Sequence, residues 1–267
     1  MSKEPSLALL KKTAIEAAEA SGKILLKHFG KNLHIREKKD AGLVTQADVQ
    51  SEAAALKILR KKFPSFGVLA EESDPIETQD EGRWIIDPLD GTTNFVHGFP
   101  MFCVTLAAEV RGELKVGVVY HPILKDWYVA VKGQGATLNG KPISVSKTKR
   151  IYDSLLTTGF SYRKTEIQHE EMEAFERLSG IARAIRRPGS AALDMAYVAR
   201  GVFDGFWERR LSPWDVAAGT LLIREAGGTV TNFEGGRNIL GSPGIIASNK
   251  YLHSDLRKAV APESCPI

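Results

Sequence analysis

A layered α/β fold, with helices packed over sheets in two sheet-containing halves, is predicted from three observations. The 267-residue chain opens with two segments of helical periodicity, and its middle is a succession of β-branched runs. After Ile151 short apolar runs alternate with amphipathic stretches. Such alternation buries sheet faces under helices. At 43% hydrophobic and 25% charged residues the composition is that of an ordinary globular protein. A chain of this length buries enough surface to fold without covalent staples.

Each element has a local reason. "LALLKKTAIEAAEASGKILLKHFG" carries apolar residues at helical spacing and stops at Gly30, a C′ residue. "KKDAGLV" reads as a polar loop. "TQADVQSEAAALKILRKKF" is a second helix with Thr45 as N-cap and Pro64 beyond its end. "FGVLA" and "RWIID" are strands, the latter ended by Pro88, which has no N–H to give a ladder. "FCVTLAAEV", "ELKVGVVYHP" and "DWYVAVKG" are further strands, and Asn139-Gly140 in "GQGATLNGKPI" signals a hairpin. Then come "SLLTTGF" (strand), "TEIQHEEMEAFERLSGI" (helix), "ARAIRR" (strand) and "SAALDMAYVARG" (helix). "FDGFWERR" (strand) precedes "PWDVAAGTLLIREAGG", a helix closed by Gly227-Gly228. "GIIAS" is a last strand, before a helix from Asn249.

The same reading excludes function classes. A net charge of +4 does not argue for nucleic acid, and the basic clusters at Lys147–Arg150, Arg186-Arg187 and Arg209-Arg210 read as solvated faces. Cys103 and Cys265 form no CxxC pair, so neither a disulfide framework nor a thiolate metal site is expected. The first 30 residues mix Lys and Glu without a signal-peptide apolar core, and no run approaches the roughly 18 apolar residues of a membrane span. The expectation is a soluble, cytoplasmic protein that engages no membrane.

Four acidic constellations remain. In "DPLDGTTN", Asp87 and Asp90 sit where a buried strand gives way to a helix start. Either Asp90 caps that helix and Asp87 pairs with an arginine, or the two carboxylates share a cation beside amides of Gly91, Thr92 and Thr93 that face an anion. In "LAEES", Glu71 and Glu72 are a solvated acidic turn or a ligand source. In "SPWDVAAG", Ser212, Pro213 and Asp215 make a capping box, which also places a carboxylate well for a metal. In "LVTQAD", Thr45 and Asp48 begin a helix. Glu71, Asp87, Asp90 and Asp215 form an all-oxygen set, which favours Mg²⁺, Mn²⁺ or Ca²⁺ over zinc or copper. Rival phosphatase chemistries fit poorly. A cysteine phosphatase needs an arginine soon after its cysteine, where Cys103 has Glu109. The acids are spaced D-x-x-D-G-T, not the D-x-D-G-T of haloacid-dehalogenase phosphatases, and no GxxxxGK[ST] loop is present.

"WIIDPLDGTTNFVHGFP" and "WDVAAGTLLIREAGG" resemble the two signatures of the inositol monophosphatase family. "AEES", "LVTQAD" and "GSAALDMAYVARG" fall in the family's order, so the similarity runs from about Leu7 to Leu256. The resemblance implies a single domain over residues 1–267 with an αβαβα sandwich of the inositol monophosphatase and fructose-1,6-bisphosphatase type. It implies a lithium-sensitive homodimer that hydrolyses inositol monophosphate with Mg²⁺, two to three ions, Mn²⁺ being a possible substitute. Other substrates in the superfamily are fructose-1,6-bisphosphate, other sugar phosphates and nucleotide 3′-phosphates, and a protein-interaction role is a further alternative. By position, Glu71, Asp87 and the Leu89 carbonyl would bind one metal, and Asp87, Asp90 and Asp215 a second, with Glu71 also at a third. Asp48 and Thr92, with Glu71, would activate water. Gly91 and Thr92 amides would hold phosphate, and Gly189, Ser190, Ala191, Glu208 and Asp215 would meet the polyol. Lys38 or Lys39 would lie near the site. Asp204, Phe206 and Glu208 share a strand face, which supports an inward Glu208. Ala70 stands where glycine is common, and Met101 replaces an aromatic, altering a neighbouring wall.

Overall fold

The structure, a computed structural model, describes residues 5–37, 42–77, 82–160 and 166–261. Helix α1 (Leu7–His28) starts at Ser6, whose hydroxyl accepts from the Leu9 amide at 3.2 Å. It ends as expected, with Gly30 in the left-handed region at φ 73°. A short antiparallel pair, β1 (Ile35–Glu37) and β2 (Leu43–Thr45), follows, and β2 takes Leu43 and Val44 from the end of the expected polar loop. These three-residue strands are too short to show a period. Thr45 then caps α2 (Gln46–Lys62).

A seven-stranded sheet follows in chain order: β3 (Gly67–Ala70), β4 (Gly82–Asp90), β5 (Cys103–Val110), β6 (Glu113–His121), β7 (Asp126–Val131), β8 (Ala136–Leu138) and β9 (Lys141–Pro142). The pair β3/β4 is parallel and the rest are antiparallel. A one-turn helix, α3 (Thr92–Val96), leaves the end of β4. The β8–β9 hairpin turns at Asn139 and Gly140, both with positive φ, as the sequence signals.

The second half interleaves β10 (Leu155–Thr158), α4 (Glu166–Ser179), β11 (Ala184–Arg186), α5 (Ala191–Ala199), β12 (Gly205–Arg209), α6 (Pro213–Glu225), β13 (Thr229–Thr231), β14 (Gly244–Ser248) and α7 (His253–Val260). Its five strands run in the order β11-β10-β12-β14-β13. The three-residue β13 has no counterpart in the sequence reading. The last helix begins at His253, not Asn249, because the Asn249 side chain accepts from the Tyr251 and Leu252 amides at 2.8 and 3.1 Å and makes a turn first.

These elements stack as the five layers αβαβα. Helices α1 and α2 cover one face of the large sheet, α5 and α6 fill the space between the sheets, and α4 and α7 cover the small sheet. Period-two alternation sorts the side chains. Ile85, Ala107 and Val119 enter the central core, whereas Trp84, Ile86, Leu106 and Val118 pack under α1 and α2. Among the described residues no helix is long and apolar enough to cross a membrane.

Gly117 of β6 marks the closest approach of α6 to the sheet. A Cβ there would stand 2.9 Å from the Ala218 carbonyl oxygen and 3.1 Å from its Cα, backbone atoms that cannot step aside. Gly117→Val is expected to lower stability by about 1–3 kcal/mol, the usual cost of overpacking, as measured by urea unfolding.

Candidate active site

The site begins with an irregularity in β4. Asp87 pairs with Thr105 and Asp90 with Cys103, so three residues advance along β4 against two on β5. Pairing therefore does not stop at Pro88. The imino acid is absorbed in a bulge, and the ladder resumes at Asp90. Side chains at positions 87 and 90 would point to opposite faces of a regular strand. The bulge re-aims them, and both line one cavity with Glu71, Leu89, Thr92 and Asp215. The bulge is braced from within, because Asp87 Oδ1 accepts from the Leu89 amide at 2.8 Å and Ser51 Oγ of α2 donates to the Pro88 carbonyl at 3.0 Å.

Asp48, Asp87, Asp90 and Asp215 each spend one oxygen on the fold. Asp48 Oδ2 accepts from the Thr45 amide (2.8 Å) and hydroxyl (2.7 Å), completing the capping box of α2. Its Oδ1 accepts from Thr92 Oγ1 at 3.0 Å, and that hydroxyl also lies 3.1 Å from the Leu89 carbonyl. Asp215 Oδ2 accepts from the Ser212 amide at 2.7 Å at the start of α6, as the sequence predicts. Asp90 departs from expectation. The residue before α3 is Gly91, left-handed at φ 96°, and Asp90 does not cap that helix. Its Oδ2 instead accepts from the Ala192 amide at 2.8 Å and the Ser190 hydroxyl at 2.6 Å, so it caps α5, and the Cys103 thiol donates to the same oxygen at 3.6 Å. The acidic turn is positioned by buried Glu52, whose Oε2 accepts from the Glu72 amide at 2.9 Å.

Burial and like charge dominate the electrostatics of this cluster, although Arg187, Arg209 and Arg210 also line the cavity. Burial pushes the Asp87 carboxyl well above the usual range, and the charges of Glu71, Asp90 and Asp215 push it further. Asp90 is raised to about 6, chiefly by burial, against the lowering effect of its bonds from Ser190 and Ala192. Burial likewise raises Asp48 and, with Asp215 and Asp90 as neighbours, Glu208. A donor set of buried oxygens crowded by like charge fits a hard divalent cation. Among the described residues no three His, Cys, Asp or Glu side chains are yet gathered tightly enough to hold an ion as they stand.

Gly189, Ser190, Ala191 and Glu208 line the same cavity. Phe206 packs in the central core, so two-residue alternation turns Glu208 inward as the strand reading predicts. Gly159, Phe160 and Arg187 also line the cavity, with the Arg187 guanidinium 5.7 Å from the Phe160 ring centre. No motif flagged Gly159 or Phe160, and the basic clusters expected to be solvated faces are not wholly so, since Arg187, Arg209 and Arg210 border the cavity. Asn94 was also missed, although it lies inside "GTTNF". Its amide donates to the carbonyls of Met101 (2.7 Å) and Pro188 (2.8 Å) and lies 3.2 Å from that of Gly189. Met101 does not alter the cavity wall, since its side chain packs against the central core. Lys38 and Lys39 lie outside the described residues.

A model of the inositol monophosphatase family matches residues 6–264. The chain belongs to this family. An inositol-1-monophosphatase of Synechocystis is 42% identical over 93% of this chain and 87% of its own. A protein of Pseudomonas aeruginosa named Nus factor SuhB is 39% identical over 95% of this chain and 96% of its own. Among solved structures, the extragenic suppressor protein suhB of Bartonella henselae superposes with a TM-score of 0.91 at 40% identity, covering 95% of this chain and 98% of its own. Inositol monophosphatase from Anabaena gives a TM-score of 0.83 at 40% identity, covering 95% and 96%. The five-layer expectation and the enzyme class, phosphoric monoester hydrolase, accord with this family.

Asn94→Ala removes the amide that ties α3 to the loop before α5. Stability is expected to fall by about 1–3 kcal/mol, because carbonyls bonded through Asn94 lose their donor, and calorimetry of the variant checks it.

Proposed function

We propose that the protein hydrolyses inositol monophosphate to inositol and inorganic phosphate, with water as nucleophile and Mg²⁺ as cofactor, Mn²⁺ being a substitute. The observation that supports this most is the convergence of Asp87 and Asp90, through the β4 bulge, with Glu71 and Asp215 in a cavity that Glu208 also lines. Glu71, Asp87 and the Leu89 carbonyl would hold one ion, Asp87, Asp90 and Asp215 a second, and Glu71 a weakly bound third. When bound, such ions acidify water and screen the phosphate's charge.

The chain's own groups complete the chemistry. Thr92 Oγ1 donates to Asp48, which leaves its lone pairs to accept a proton from water in the cavity. As that proton arrives, Thr92 passes its own to Asp48, whose burial-raised basicity suits it to receive one. Amides of Gly91 and Thr92 would hold the phosphate oxygens. The edge formed by Gly189, Ser190 and Ala191, with Glu208 and Asp215, would orient the polyol. A homodimer sensitive to lithium is part of this proposal. A protein-interaction role alongside turnover is the second reading, and one relative at 39% identity is named Nus factor SuhB. That role would persist in a pull-down with a catalytically dead variant.

Asp87→Asn is expected to cut kcat/KM on inositol 1-phosphate by more than about 100-fold, as loss of a metal ligand should exceed the cost of losing a ligand's supporting contact. In EDTA the same variant should melt no lower than wild type, because a neutral amide relieves repulsion from Glu71, Asp90 and Asp215 and keeps the bond from Leu89. Phosphate release with and without Mg²⁺, paired with melting curves, checks both. Normal turnover by Asp87→Asn would sink the assignment.

A further inference from the structure

Gly159 follows β10 directly, beside the neighbouring parallel strand β12, where Thr158 pairs with Trp207. Its backbone is not in the left-handed region, so conformation does not demand glycine. Space does. A Cβ on Gly159 would overlap both carboxylate oxygens and Cδ of Glu208, far inside the 3.0 Å that real Cβ contacts respect. Both residues line the cavity, with Phe160 and Arg187 beside them. The overlapping atoms are the end of a flexible side chain, so a residue larger than glycine would swing the carboxylate and leave the strand pairing in place.

We propose that Gly159 is a specificity-determining positioning residue. By having no side chain, it lets the Glu208 carboxylate sit back against the end of β10. The cavity is thereby wide enough for a ring polyol, and the acid faces a hydroxyl of that ring. This rests on the proposed function, in which Glu208 accepts from the polyol. A side chain at position 159 drives the acid into the space the ring would fill, and the site then loses its preference for a hydroxylated leaving group.

The test is a double-variant cycle of wild type, G159A, E208A and G159A/E208A. It uses inositol 1-phosphate and p-nitrophenyl phosphate, which offers Glu208 no hydroxyl. For G159A the ratio of kcat/KM values for the two substrates should fall at least about tenfold, the scale of a hydrogen bond to a charged group, and the loss should appear mainly in KM. In the E208A background the same change should move the ratio less than about twofold, because the group it displaces is gone. An unchanged ratio in G159A, or losses that multiply in the double variant, would overturn the inference. A crystal structure of G159A separates it from the functional reading. A Glu208 carboxylate displaced into the cavity supports the inference even if wild type prefers another ester, and an unmoved one overturns it. If G159A alone does not fold, folding of G159A/E208A supports the inference and failure of both overturns it.

Discussion

Carboxylates repel one another when they are buried side by side, and the rest of this structure is arranged around keeping several of them together. Asp87 and Asp90 are buried, with Glu71 and Asp215 at the same cavity. Left to themselves they would turn outward to water or take up protons. The chain restrains them by giving one oxygen of each aspartate a structural duty. Asp48, Asp90 and Asp215 each satisfy an amide at the start of a helix, α2, α5 and α6 respectively. Asp87 satisfies an amide within its own bulge. Helix starts present unpaired N–H groups and partial positive charge, so they suit a negative group that must be fixed in place. Asp87, Asp90 and Asp215 therefore serve both the fold and the cavity, and Asp48 is tied to it through Thr92.

The layers explain how acids from distant segments meet. The large sheet brings Asp87 and Asp90 to its edge of the central layer, and α5 and α6 fill that layer from the second half of the chain. Asn94 and Asp90 then join the halves directly, one to the loop before α5 and the other to the first amides of α5 itself. In this setting Gly91 has to be glycine twice over. Its φ is positive, and a Cβ would come within 2.9 Å of the Met101 carbonyl oxygen.

Much of this was legible in the sequence. Helical periods, strand alternation and the Asn139-Gly140 turn identified most elements, because each is written over enough residues to show its period. The capping boxes at Thr45–Asp48 and Ser212–Asp215 were legible because both partners lie within one turn. Asp90 was misread for the opposite reason: the helix it caps starts about a hundred residues away, and local spacing offered the wrong one. The bulge was hidden because Pro88 announces a break in pairing but not its resumption. Gly159 carried no signal at all, since only the fold reveals that a carboxylate occupies the space beside it. Family resemblance supplied what spacing could not, a reason to read four scattered acids as one set.

The bonds between Asp90 and α5 have a consequence in time as well as space. Asp90 and Ser190 are separated by 100 residues, and Asn94 and Pro188 by 94. Contacts so remote along the chain close large loops and are costly to form early. A ribosome-bound chain that has emerged only as far as α3 already carries Glu71, Asp87 and Asp90, yet it has no α5 amide to anchor Asp90 and no Asp215. The cavity thus comes into being with the docking of the two halves, and a half-made molecule has acids without a site.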